Sequence, residues 1–138
     1  MEGLFFNHGF ESGVILNLTP HQAHTCCMKG GVIIDVREDY MNRFKMFDVP
    51  EVIYCPFSML EETYGHLPQE KPMIFADASG IHSKEAVKFL MDKGFGSRIA
   101  NMAGGLIEWE RDELPLILYK TENLTGSCMC QLRPRNKK

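Results

Sequence analysis

The sequence predicts an α/β fold, one domain with a central, mostly parallel sheet and helices on both faces. Three observations carry that expectation. Short apolar runs rich in β-branched residues recur along the chain, as in "GVIIDV", "EVIYCP" and "KPMIFAD". Segments with helical spacing and legible caps alternate with them, the pattern of strands joined by crossover helices. The chain of 138 residues also has room for one ordinary core and not for two.

Each element has its own signal. Thr19-Pro20 opens the first helix: Thr19 caps, Pro20 suits the first helical position, and Gln22 completes a capping box. Gly30 ends it. "GVIIDV" is continuously apolar, as a strand buried on both faces should be, and "EVIYCP" is a second such run, stopped by Pro56. Ser58 with Glu61 has the form of another capping box, opening a short helix, "MLEETYGHL". "KPMIFAD" is the next strand and "HSKEAVKFLMDKG" the next helix. Ala86, Val87, Phe89 and Leu90 give that helix its apolar face, and Gly94 its stop. "SRIANM" is a last short strand; Gly104-Gly105 then turns the chain into "LIEWERDEL", ended by Pro115. Right-handed crossovers follow from this order.

Residues 18–118 therefore form the expected domain. Residues 1–17 precede it as an N-terminal extension, and 119–138 follow as a tail containing Cys-x-Cys. At 44% hydrophobic and 24% charged, the composition is that of a soluble globular protein. A formal net charge of −3 argues against nucleic acid as a partner. Arg133, Arg135, Lys137 and Lys138 read as a solvated basic end, with a polyanion-binding arm as the alternative. Glu2 stands where a signal peptide needs positive charge, and no run approaches the roughly 20 apolar residues of a membrane span. A cytoplasmic protein that does not engage membrane is the expectation. Five cysteines without a secretion signal then read as reduced thiols rather than a disulfide framework.

The segment "FADASGIHSKEA" carries the chemistry. It runs from a strand end through Asp77, Ala78, Ser79, Gly80, Ile81 and His82 to Ser83 and a helix. In open parallel sheets, ligands sit beyond the carboxyl ends of strands. Gly80 permits a tight bend, and Ser79 or Ser83 is a candidate cap. Successive N–H groups curling toward one point would make an anion cradle at the positive helix end. A thiol there would be an activated nucleophile, yet this loop has none.

Four stretches in order, "VIIDVREDY", "VPEVIYCPFSML", "DASGIH" with Ser83, and "NMAGGLIEW", resemble the rhodanese-like family over roughly Leu18 to Leu116. The resemblance implies a three-layer α/β domain and, in active members, sulfur transfer through a cysteine persulfide. That cysteine opens the loop, so its counterpart is Asp77. The arginine that closes the loop in many members is replaced by His82, and the histidine before "IPGA" corresponds to Asp48. Arg37 and Glu38 read either as holding ion pairs that shape the pocket rim or as plain solvated charges, and Asp48 is expected at the same rim.

A carboxylate cannot carry a sulfane sulfur, because the relay depends on thiolate attack and a persulfide. Its charge would also repel an anionic donor by roughly 1–4 kcal/mol at close range. Thiosulfate sulfurtransfer through the loop is therefore expected to be absent. Asp77 reads either as a built-in anion accepting the loop N–H groups or as a plain helix cap; His82 could pair with it. A phosphatase with a similar loop would need the missing cysteine and an arginine.

Cys26, Cys27, Cys55 and Trp109 are expected in the core. Cys128 and Cys130 lie in "GSCMCQL", where packing requires neither and basic neighbours favour thiolate. They read as a surface pair, a sulfur-carrying or redox pair, or part of a metal site needing further ligands. The dozen residues from Leu116 to Cys128 reach about 40 Å when extended, enough to bring a thiol to the loop. The expected function is a silent binding or regulatory module in sulfur or redox metabolism; the alternative is a sulfur carrier using Cys128 and Cys130. No cofactor and no bound metal are expected. A small anion, a persulfide donor or a protein, a second copy of the chain included, stay open as partners.

Overall fold

The computed structural model describes residues 10–12, 15–38, 44–95 and 98–118. Among the described residues six strands make the main sheet. They are β1 (Phe10–Ser12), β2 (Ile15–Leu18), β3 (Val32–Asp35), β5 (Val52–Tyr54), β6 (Met73–Ala76) and β7 (Ile99–Met102), in the order β1-β2-β7-β6-β3-β5. All neighbours in it are parallel except β1 and β2. A separate antiparallel pair joins β4 (Lys45–Phe47) to β8 (Leu116–Leu118). The α-helices are α1 (Pro20–Met28), α2 (Leu60–Thr63), α3 (Ile81–Asp92) and α4 (Gly105–Arg111).

Strands β3 and β6 hold their central place by alternation. In β3, Val32 and Ile34 join the apolar layer beneath α3, while Ile33 joins the layer beneath α1 and α4. In β6, Met73 and Phe75 face the first layer and Ile74 and Ala76 the second. Successive side chains of a strand point to opposite faces, so a continuous apolar run suits a strand covered on both. Three layers result, as the sequence predicts.

The first helix forms as read. Thr19 Oγ1 accepts from the Gln22 N–H at 3.2 Å, and Gln22 Oε1 accepts from the Thr19 N–H at 2.9 Å. Gly30, at φ 110°, leaves the helix in the left-handed conformation that disfavours other residues. Cys26, Cys27 and Cys55 are buried, as is Trp109, which meets Phe47 edge-on and donates Nε1–H to the Pro115 carbonyl at 2.8 Å.

Elsewhere the structure departs from the sequence reading. β5 is an edge strand among the described residues and only half-buried, since β3 is its one neighbour. "MLEETYGHL" is not one helix but a 3₁₀ turn, the single α2 turn and a second 3₁₀ turn. Ser58 caps nothing: its N–H and hydroxyl both donate to the carboxylate of Glu38, at 3.1 and 2.8 Å. The last helix stops at Arg111, where Glu113 turns left-handed at φ 61°, before Pro115 is reached. The sequence reading names none of the strands β1, β2, β4 and β8. Among the described residues, no helix is long and apolar enough to cross a membrane.

Candidate functional site

Asp77 is the first residue after β6, and its backbone is fastened before its side chain is considered. The Asp77 carbonyl accepts from the Leu106 N–H at 2.9 Å, and the Ala78 carbonyl from the Ile107 N–H at 3.0 Å. The loop is thus bound to the first turn of α4. Such an approach requires glycine opposite. A Cβ on Gly105 would stand 2.5 Å from the Asp77 carbonyl oxygen, and Gly105 has φ 60°. On the loop side Gly80 has φ 98°, and a Cβ there would come within 3.0 Å of the Gly104 nitrogen.

The carboxylate of Asp77 turns back into its own loop. Oδ1 accepts from the Gly80 N–H, and Oδ2 accepts from the His82 N–H at 3.0 Å. The Ser83 hydroxyl lies 3.3 Å from Oδ1. Asp77 is buried, with 5% of its surface exposed. Neither Ser79 nor Ser83 caps α3; the N-cap position is Gly80, which has no capping side chain, and Asp77 supplies the acceptors from three residues earlier. A charged acceptor receiving backbone N–H groups at a helix start is a strong arrangement.

Behind Asp77 runs a buried polar chain. Ser83 donates to Asn101 Oδ1 at 2.5 Å, Asn101 Nδ2 to Asn17 Oδ1 at 2.9 Å, and Asn17 Nδ2 to the Ile15 carbonyl at 3.3 Å. Asn17 and Asn101 face each other in register on β2 and β7. Sequence reasoning missed both. The signal was there: each is one polar residue inside an otherwise apolar strand, "ILNL" and "IANM", and burying such a group is costly unless it is bonded.

At the mouth, the His82 ring stacks on Phe57, 5.3 Å between centroids and 19° from parallel. Its Nδ1 is 3.7 Å from Asp77 Oδ2, the pairing expected across the loop. Ala78 is half-buried; Ser79 and Ile81 are exposed. Arg37 points elsewhere, buried on Asp35 with Nη2 2.8 Å from Oδ2 and the same nitrogen donating to the Lys45 carbonyl. Asp48 is exposed beyond β4, its N–H on the Pro115 carbonyl at 3.2 Å. Among the described residues Glu38 holds Ser58 and no cation.

The described thiols are poor nucleophiles by position. Burial raises both Cys26 and Cys27, the latter to about 12, and thiols so raised stay protonated at neutral pH. The Cys55 sulfur lies 3.1 Å from Thr63 Oγ1 in the interior. Cys128 and Cys130 lie outside the described residues. Among the described residues no three His, Cys, Asp or Glu side chains gather as a metal site would require.

This architecture has known counterparts. A family model described as "Rhodanese-like domain" matches residues 19–112, and the chain belongs to that family. A sulfurtransferase of Allochromatium vinosum is 29% identical over 69 residues, a match spanning 50% of this chain and 64% of that protein. Thiosulfate sulfurtransferase GlpE of Actinobacillus pleuropneumoniae is 28% identical over 110 residues, 76% of this chain and 95% of the relative. Among solved structures, a rhodanese-related protein from Thermoplasma volcanium superposes with a TM-score of 0.66 at 26% identity. That superposition covers 75% of this chain and 98% of the other.

Proposed function

We propose that this chain is a rhodanese-like domain that performs no sulfur transfer at its loop and serves as a binding or regulatory module in sulfur or redox metabolism. The observation that supports it most is the carboxylate of Asp77 lying on the N–H groups of Gly80 and His82. In an active loop those donors would serve a sulfur nucleophile or an anionic donor. Here they serve a group that forms no persulfide and repels anions. His82, standing where an arginine would help hold the donor, adds to the reading.

A second reading has its own support. The described cysteines are all buried, so any sulfur carried by this chain would sit on Cys128 or Cys130. One experiment separates the two. The protein is exposed to thiosulfate or to a low-molecular-weight persulfide, and cyanolysable sulfur is located by mass spectrometry. The silent module carries none. Sulfur on Cys128 or Cys130 would favour the carrier, and sulfur on no tail residue together with turnover would defeat both.

A further inference from the structure

Beside the filled loop a different space stays open. A cleft of about 460 Å³ runs along the flank of α3 toward the ends of β2 and β7, within the range of small-molecule sites. Its walls include Gly80, Lys84, Glu85 and Lys88, and its floor Asn17 and Asn101. Lys84 and Lys88 stand one turn apart, so both ammonium groups can reach one guest. Neither makes an ion pair among the described residues, whereas Lys45, Lys71 and Arg111 all do.

The floor adds donors of a costlier kind. Asn17 and Asn101 are 3% and 2% exposed. Each carboxamide has two N–H hydrogens, and each spends one, Asn101 on Asn17 and Asn17 on the Ile15 carbonyl. The remaining hydrogen of each meets no acceptor among the described residues. Buried donors left over at the floor of a cleft call for a partner, since a polar group buried without one is destabilising.

We propose that this cleft is a binding site for a small organic anion, with a carboxylate or phosphate head between Lys84 and Lys88 and over the Asn17 and Asn101 amides. Glu85 selects against a second negative group and for a hydroxyl or amine on the body of the ligand. The site lies outside the Asp77 cradle, yet Asn101 also accepts the Ser83 hydroxyl, which touches Asp77. Occupancy is thereby felt by the loop. The proposal is independent of whether the tail cysteines carry sulfur.

The test is a titration of the ¹⁵N-labelled full chain with inorganic phosphate and, separately, with lactate, a hydroxylated monocarboxylate, followed by amide resonances. Saturable shifts at Gly80, Lys84, Lys88 and the side-chain amides of Asn17 and Asn101, in the low millimolar range or tighter, are expected. The probe that binds tighter identifies the head group. Lys84→Gln with Lys88→Gln should weaken it about tenfold or more, while Lys29→Gln with Lys93→Gln, away from the cleft, should leave it unchanged. Both pairs are helix-surface changes that keep the fold. No saturable shift with either probe overturns the proposal. So do shifts confined to Phe57 and His82, or equal losses in both double variants.

Discussion

Asp77 is one residue on which much rests. In the proposed reading it takes the place of a sulfur nucleophile; in the structure it answers the loop's donors with its own oxygens. Removing it leaves the buried Gly80 N–H and the part-buried His82 N–H without that acceptor. Asp77→Ala should destabilise the chain by about 1–3 kcal/mol in urea unfolding. Asp77→Asn should cost less, because one oxygen acceptor survives. Restoring the missing chemistry is the complementary test. Asp77→Cys with His82→Arg should gain thiosulfate-dependent sulfur transfer to cyanide where the parent has none. A well-folded double variant without that activity would mean the cradle differs in more than these two residues. The sequence alone named Asp77 and His82, because loop spacing is a local property. It could not foretell that Arg37 turns inward to Asp35, since that depends on β4 arriving from a later part of the chain.

At the scale of elements, the site exists because two helix starts are pressed together. The loop before α3 and the first turn of α4 share the bonds from Leu106 and Ile107 to Asp77 and Ala78. Gly105→Ala brings a methyl to 2.5 Å from a backbone oxygen at a positive φ. A loss of about 2 kcal/mol or more is expected on denaturant unfolding. Gly30→Ala is the control: its φ is 110° but nothing lies within 4 Å, so the cost should stay near 1 kcal/mol. What was legible follows the same division. The buried strands β3 and β6 and the capped helices α1 and α3 announce themselves through runs, boxes and glycine stops. The strands β4 and β8 have three residues each and draw their form from each other, Lys45 pairing with Leu118 and Phe47 with Leu116, so no local pattern marks them. The Ser58 motif misled because a distant carboxylate, Glu38, captured the donors that a capping box would use.

Among the described residues the molecule keeps its thiols, Cys26, Cys27 and Cys55, buried, and that has a consequence for pH. Burial raises Cys27 from 9.0 to about 12, and Cys26 in the same direction. Between those values the folded chain holds protons that the unfolded chain releases. This contribution to stability is complete below pH 9 and is lost as pH rises toward 12. Cys27→Ala should remove part of that alkaline loss, at roughly 1.4 kcal/mol per pH unit for one full proton, in parallel urea titrations of both proteins. The central claim concerns the loop, and one rate tests it most directly. The chain with Cys128→Ser and Cys130→Ser is assayed for thiosulfate-to-cyanide sulfur transfer. Thiocyanate formation at the uncatalysed background is the predicted result. Catalytic turnover by that variant would contradict the account, because sulfur would then be moving through a pocket that offers only a carboxylate.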